Sequence, residues 1–204
     1  MDGNLATIGV LAVQGAFREH HESLKELGVE SSEIKLPHQL ADVDGLIIPG
    51  GESTTIARLI EVYDLRSTIV DRITSGLAVW GTCAGMIILA SHLSEERPKP
   101  LQLMNIKVSR NAFGRQADSF EEPLRIKGIG SRPFNAIFIR APIVDYVGTQ
   151  VKILATLSNG NPVAVQQHRM LATSFHPELS NDLRMHHLFM RIVEAPREVL
   201  DPND

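Results

Sequence analysis

The chain contains one cysteine, Cys83, and it lies in the sequence GTCAG between two apolar stretches. The stretch before it is typical of a buried strand, and the stretch after it predicts a helix that begins at Ala84. Gly81 and Gly85 would let the backbone turn sharply, which lifts the thiol above the C-terminal edge of a sheet. The helix N-terminus favours the thiolate, and the Ala84 N–H can donate to an oxyanion. The pattern predicts a nucleophile elbow; the alternative is a small, buried apolar side chain.

The proton carrier for this thiol is predicted in the sequence SFHPEL, residues 174–179. His176 follows an apolar strand, and Pro177 favours an extended conformation at His176. Residues two apart on an extended chain point to the same side, so Glu178 can hold the imidazole in one tautomer and stabilise its charged form. We therefore predict a triad of Cys83, His176 and Glu178, although the segment alone is equally compatible with a surface turn.

A second glycine turn, PGGEST, follows the apolar sequence DGLII. Because its amides open at the end of a strand, Gly50 or Gly51 can donate the second hydrogen bond to an oxyanion. The helix after the turn has Ser53 or Thr54 as its predicted N-cap. The alternative is that the glycines only make the turn.

The remaining histidines include two neighbouring pairs, in EHHE (19–22) and MHHL (185–188). Neighbours on a helix point about 100 degrees apart, so a pair cannot easily share one ligand. We predict that both pairs lie on solvated helix faces. No His-x-x-x-His pair is present on a helix and the chain has one cysteine, so no metal site and no cofactor are expected.

In the first half of the chain, apolar runs alternate with helical patterns, and in the second half the strands are shorter. The turns LSNGNP and QHR separate the last three strands and predict an antiparallel extension. Residues 94–100 and 121–133 are interpreted as a loop and an exposed connection. The predicted fold is α/β, with a mostly parallel central sheet, helices on both faces and this antiparallel extension. The strands are predicted at 6–15, 44–48, 76–82, 135–142, 151–156, 162–167 and 169–175, and the helices at 17–28, 54–65, 86–93 and 181–194.

Composition limits the possible functions. A length of 204 residues with 43% hydrophobic and 22% charged residues fits one domain, 1–204, with a tail after about 195 expected to fray. The net charge of −4, with both signs mixed along the chain, argues against nucleic acid or a membrane surface as a partner. Residues 1–13 lack a signal-peptide pattern and one cysteine cannot form an internal disulfide, so the cytoplasm is the expected location.

Three motifs, GTCAGM, PGGEST and SFHPE, resemble the signatures of the class I, triad-type glutamine amidotransferases. The sequences GVLAVQGAFREH, RNAFGRQADSFE and FIRAP make the chain similar, from about residue 8 to residue 189, to the glutaminase subunits of pyridoxal 5′-phosphate synthase within that class. The resemblance implies a flavodoxin-like fold and hydrolysis of L-glutamine to L-glutamate and ammonia through a γ-glutamyl thioester. It also implies a partner, a barrel-shaped synthase subunit that accepts the ammonia.

The same resemblance assigns roles to residues around the triad. The oxyanion would be held by Gly51 and Ala84. Gln14 would lie in the oxyanion region or face the synthase, unless it only ends the first strand. The residues implied to bind the α-amino and carboxylate groups of glutamine are Gly51, Glu52, Ser53, Arg115, Ile139 and Arg140. The alternative role of Arg115 and of Arg140 is a surface ion pair, and that of Glu52 is compensation of a helix dipole.

Two other functions remain open from the sequence. A stand-alone cysteine hydrolase of γ-glutamyl bonds would share the elbow and the triad. A catalytically idle regulatory module of the same fold would keep the architecture alone. Intact residues at 83, 176 and 178 argue against the idle module.

Overall fold

A computed structural model describes residues 6–110 and 119–196 of the chain. Its strands follow the order of the apolar runs in the sequence. They are β1 (Ile8–Leu11), β2 (Ser31–Ile34), β3 (Gly45–Ile48), β4 (Ala78–Thr82), β5 (Ala90–Leu93), β6 (Met104–Ser109), β7 (Ser119–Leu124), β8 (Phe134–Ile139), β9 (Ile143–Val147), β10 (Lys152–Thr156), β11 (Pro162–Gln167) and β12 (Met170–Thr173). The α-helices are α1 (Phe17–Glu26), α2 (Ser53–Val62), α3 (Leu65–Thr74), α4 (Ala84–Leu89) and α5 (Arg184–Glu194).

The central sheet has seven strands in the order β10-β11-β12-β4-β3-β1-β2. The five strands from β12 to β2 are parallel to one another, whereas β11 and β10 continue the sheet in antiparallel pairs. The predicted fold class and its antiparallel extension are therefore confirmed. Because β3, β4 and β12 are parallel neighbours, the segments that follow them meet at one edge of the sheet.

Apolar side chains cover both faces of this sheet, as expected for buried parallel strands. In β3, Leu46 and Ile48 belong to one core with α2, α3 and α4. Ile47 points the other way and packs in a second core with α1 and α5. All three side chains are fully buried. Because side chains of β3 pack alternately into the two cores, both faces of the sheet fix the position of the strand end.

Two predicted helices end earlier than the periodicity indicated. The predicted helix 54–65 corresponds to α2, which ends at Val62, because Asp64 adopts a left-handed conformation (φ 54°) before α3 begins at Leu65. The predicted helix 86–93 is wrong in its second half, since α4 ends at Leu89 and β5 begins at Ala90. There the amides of Leu101 and Leu103 donate to the carbonyls of Ile88 and Leu89 and replace the next helical turn.

The prediction of an exposed connection at 121–133 is also wrong. Residues 119–124 form β7, which pairs antiparallel with β8. Leu124 and Ile126 are buried, and the ring of Phe120 stacks on that of Phe138 at 4.6 Å. Glu121, Arg125 and Lys127 are exposed, but Glu122 lies on the half-buried side with Phe120 and Leu124, so the sequence lacks a clean alternation of apolar and polar residues.

Two smaller sheets complete the described part. One contains β5, β6 and β9, and the other is the β7–β8 ribbon. The described helices include none long and apolar enough to cross a lipid bilayer.

Candidate active site

Cys83 lies at the sharp turn between β4 and α4, as the elbow predicts. Its backbone has φ 48° and ψ −103°, a conformation that residues other than glycine rarely adopt. The flanking glycines are needed for close packing rather than for a special φ. A Cβ on Gly85 would lie 2.0 Å from the carbonyl oxygen of Ile48, and one on Gly81 would lie 2.5 Å from the backbone of Gly85. Backbone packing against β3 therefore fixes the position of the thiol.

The structure brings the three predicted triad residues together. His176 Nδ1 lies 2.7 Å from Glu178 Oε1, and Glu178 is buried behind the ring. In its protonated form the Cys83 thiol donates to the Ile139 carbonyl at 3.8 Å. Burial lowers the pKa of His176, but hydrogen bonds to Cys83 and Glu178 and their negative charges outweigh burial and raise this pKa to about 10. His176 therefore carries a proton at neutral pH.

Gly50 lets the imidazole and the thiol approach each other. A Cβ on this residue would lie 2.3 Å from His176 Cε1 and 3.2 Å from Cys83 Cβ. The Gly50 N–H donates to Thr82 Oγ1 at 2.9 Å. Because this amide already has an acceptor, Gly51 and Ala84 are the better candidates for the oxyanion donors. The alternative of Gly50 as a donor is disfavoured by this contact.

A cavity of about 330 Å³ opens above the thiol. All predicted site residues inside the described ranges line it except Glu178, which lies behind His176. Arg115 lies outside the described residues. Gln14 and Arg110 also contribute to the wall. The lining residues are Gln14, Gly51, Glu52, Ser53, Cys83, Ala84, Ile87, Arg110, Ile139, Arg140 and His176.

The charged wall of the cavity is organised around Glu52. Its carboxylate accepts hydrogen bonds from the amides of Thr54 and Thr55, so Glu52 is the N-cap of α2 and the predicted cap, Ser53 or Thr54, is wrong. Arg110 lies 3.3 Å from Glu52 Oε1, and Gln14 Oε1 accepts from the Glu52 N–H at 2.9 Å. Slight burial raises the pKa of Glu52, but the bonds from the two threonines lower it to about 2. Glu52 is thus ionised at neutral pH.

Arg110 is a site residue that the sequence reasoning missed. It follows β6, a strand of the second sheet, and its NH2 group donates to Glu52, a residue 58 positions earlier. The motif RNAFGRQ begins with this residue, so the signal was present in the sequence. The resemblance implied Arg115, which lies in the same motif, and the sequence does not show the register of β6 that places Arg110 at the cavity.

One histidine of each pair on α1 and α5 contradicts the prediction of solvated faces, whereas His187 is exposed, as predicted, and His21 is half-buried. His20 and His186 are fully buried, and their ring nitrogens lie 3.1 Å apart. His20 Nε2 is also 3.2 Å from Thr82 Oγ1 and 3.5 Å from Glu178 Oε2. His20 precedes the buried Leu24 by one helical turn, and this spacing could have identified it as inward-facing. Across ranges 6–110 and 119–196, no three His, Cys, Asp or Glu side chains are arranged so that they could hold a metal ion.

Solved glutamine amidotransferases have this fold. A structure described as a glutamine amidotransferase is 45% identical, has a TM-score of 0.87, and aligns over 92% of this chain and 99% of its own. A structure described as that of a putative GMP synthase component from Thermoplasma acidophilum is 16% identical with a TM-score of 0.68, covering 94% of this chain and 96% of its own. The second likeness shows the fold alone.

Sequence comparison identifies the family within the glutamine amidotransferases to which the chain belongs. The model of the SNO glutamine amidotransferase family matches residues 10–195, and the chain belongs to that family. A relative from Herpetosiphon aurantiacus, named pyridoxal 5′-phosphate synthase subunit PdxT, is 52% identical over 90% of this chain and 98% of its own length. A protein of the same name from Dehalococcoides mccartyi is 52% identical over 92% of this chain and 97% of its own. These matches confirm the resemblance identified from the motifs.

Proposed function

We propose that the chain is a glutaminase subunit that hydrolyses L-glutamine to L-glutamate and ammonia and delivers the ammonia to a pyridoxal 5′-phosphate synthase subunit. The observation that carries the proposal is the elbow thiol of Cys83 beside His176 in an open cavity with two arginines and a carboxylate on its wall. Membership of a glutamine amidotransferase family and the names of the relatives support the same reaction.

In the proposed first step, the Cys83 thiolate attacks the side-chain amide carbon of glutamine. The carbonyl oxygen takes the negative charge and accepts hydrogen bonds from the amides of Gly51 and Ala84. The imidazolium of His176 gives its proton to the amide nitrogen, which leaves as ammonia as the C–N bond breaks. The product is a γ-glutamyl thioester on Cys83 and a neutral His176.

In the second step, neutral His176 takes a proton from water as the water oxygen attacks the thioester carbon. The C–S bond breaks, glutamate leaves and the thiolate–imidazolium pair is restored. Glu178 accepts a hydrogen bond from His176 Nδ1 throughout, which keeps Nε2 directed at the substrate and stabilises the imidazolium. The high pKa of His176 suits the resting ion pair.

Recognition of the amino-acid end of glutamine is assigned to the charged wall. Glu52 is suited to the α-ammonium group, and Arg110 and Arg140 can pair with the α-carboxylate. Gly51, Ser53 and Ile139 would supply shape and backbone contacts. Arg115 remains a predicted carboxylate ligand. Comparing Arg110→Gln with Arg115→Gln shows which arginine binds the carboxylate. Only loss of the true ligand should raise KM for glutamine by about tenfold while kcat changes little.

The ammonia product explains why a partner is expected. Ammonia is mostly protonated near neutral pH and is then not nucleophilic, so transfer through a closed path preserves the reactive form. A synthase subunit that covers the C-terminal edge of the sheet would enclose the cavity and exclude water. On this proposal, hydrolysis should be weak when the partner is absent.

The test measures ammonia release from glutamine by the wild type and Cys83→Ala, each with and without a pyridoxal 5′-phosphate synthase subunit. We expect release by the wild type with the partner and none by Cys83→Ala. Full activity without the partner would favour a stand-alone γ-glutamyl hydrolase. Failure of a glutamine-analogue electrophile to alkylate Cys83, or alkylation that glutamine does not prevent, would favour an idle regulatory module.

A further inference from the structure

A buried group of polar side chains lies directly under the catalytic pair, on the face of the sheet covered by α1 and α5. His20 Nε2 faces both Thr82 Oγ1 at 3.2 Å and Glu178 Oε2 at 3.5 Å. His20 Nδ1 faces His186 Nε2 at 3.1 Å. Both histidines are fully buried. The proposed reaction steps use neither of them.

The second oxygen of Glu178 is the reason to consider this group. Oε1 binds His176, whereas Oε2 is buried and has no hydrogen bond of ordinary length within the described ranges. A buried carboxylate oxygen without a donor is costly. His20 Nε2 lies 3.5 Å from this oxygen, so a proton on Nε2 and a small shortening of the distance would supply the missing bond.

The Glu178 carboxylate favours one tautomer of His20. If Nε2 carried no proton, its lone pair would face the Glu178 carboxylate, and the two would repel. With the proton on Nε2, Nδ1 becomes an acceptor and the His186 Nε2–H donates to it. The nitrogen left without a partner in the described part is then His186 Nδ1, as a lone pair rather than as an N–H.

Burial keeps both rings neutral, which this arrangement requires. Burial, and then the neighbouring His186, His176 and His21, lower the pKa of His20 well below its usual value. Burial, and then His187, lower the pKa of His186 to about 4. A neutral ring with one N–H and one lone pair fits between a carboxylate and an N–H donor.

We propose that His20 is a positioning residue of the triad: its Nε2–H, oriented by His186, holds the second oxygen of Glu178 and thereby the orientation of His176. Thr82 extends the same contact to the active-site turn, since its hydroxyl oxygen meets His20 and accepts the Gly50 N–H. His20 touches neither substrate nor reacting atoms. The kinetic part of this proposal rests on the proposed glutaminase function.

Two variants separate the donor from the volume of the side chain. In His20→Gln the amide nitrogen can reach the place of Nε2, whereas in His20→Asn it reaches only the place of Nδ1. We expect His20→Asn to lower kcat by about 10- to 100-fold with KM nearly unchanged, because a slightly misplaced catalytic group reduces the rate of the chemical step. His20→Gln should recover at least about fivefold of that loss.

The control is His187→Gln, which changes the exposed histidine next to His186 on α5 and should leave kcat unchanged. Circular dichroism and urea unfolding establish that each variant is folded. Equal losses of kcat in the two His20 variants, or a rise in KM with unchanged kcat, would overturn the proposal.

Two further measurements on the full chain need neither glutamine turnover nor the partner. ¹⁵N NMR at pH 7 should find the proton of His20 on Nε2, and a proton on Nδ1 overturns the proposal even if glutaminase activity is present. The pH midpoint for alkylation of Cys83 by iodoacetamide should rise in His20→Asn and stay near the wild-type value in His20→Gln. An unchanged midpoint in both variants also overturns it, so failure here is distinct from failure of the proposed function.

Discussion

Two strand-to-helix turns at the same edge of the sheet carry different parts of the site: one carries Cys83 and the other carries Glu52. The turn from β4 to α4 holds Cys83 by contact of backbone on backbone, through Gly81 and Gly85. The turn from β3 to α2 is also packed closely, since a Cβ on Gly15 would lie 2.0 Å from the Gly50 carbonyl oxygen, but side-chain hydrogen bonds hold it as well. Glu52 caps the helix, and Gln14 accepts the Glu52 N–H. Steric packing fixes Cys83, whose thiol must stay in place. Polar contacts hold Glu52, which can exchange a hydrogen bond within the protein for one to a ligand.

The largest expected effect tests the steric turn. In Gly85→Ala the new Cβ would lie 2.0 Å from the Ile48 carbonyl oxygen, so α4 must separate from β3. We expect the free energy of unfolding to fall by about 3 kcal/mol in urea titrations. Gly160→Ala is the control, because nothing lies within 4 Å of its Cβ and only its positive φ is penalised, by about 1 kcal/mol. Equal losses in the two variants would mean that packing does not hold the elbow.

The next effect concerns the point where the two turns meet. In Gly50→Ala the new methyl group would lie 2.3 Å from His176 Cε1, a side-chain atom that can move. We therefore expect ammonia release in the presence of the synthase subunit to fall by about 100-fold, because the imidazole leaves its place beside the thiol. The loss of stability should be smaller than for Gly85→Ala. A variant with wild-type activity would show that the approach of His176 to this backbone is not required.

Thr82→Val tests the hydrogen bond from the Gly50 N–H to the hydroxyl of Thr82. Valine has no acceptor for the buried Gly50 N–H, so the free energy of unfolding should fall by about 1 to 3 kcal/mol. Thr82→Ser keeps the hydroxyl and should lose less stability in the same urea titration. If serine costs more than valine, the methyl group matters and the hydrogen bond does not.

The smallest effect is the pH dependence of the Glu52 cap. The pKa of Glu52 in the folded chain is about 2, against an ordinary value of 4.5. A lowered pKa stabilises the fold fully above 4.5, and this contribution is lost as the pH falls toward 2. The side chain is 48% exposed, so solvent screens the contribution. The difference between wild type and Glu52→Gln in urea midpoint should therefore be small at pH 7 and shrink below pH 4.5; a difference that grows in acid would contradict the cap.

The sequence predicts those parts of the site whose geometry depends on neighbouring residues. The elbow, the extended His176–Pro177–Glu178 segment and the glycine turn were all readable because each depends on residues adjacent in sequence. Arg110 and His20 act through residues 58 and 158 positions away, and only the pairing of strands and the packing of α1 bring them there. The β7 strand does not follow from the sequence because Glu122 lies on its half-buried side, between Phe120 and Leu124.

Trp80 lies in the layer beneath the triad. It is the only tryptophan of the chain, and its indole meets the ring of His186 at 5.0 Å and that of His20 at 5.6 Å, both edge-on. Protonated imidazole quenches indole emission, whereas neutral imidazole does so weakly. The unmodified chain therefore contains an intrinsic fluorophore that reports on the charge of these two rings, so the state of the support can be followed optically without any label.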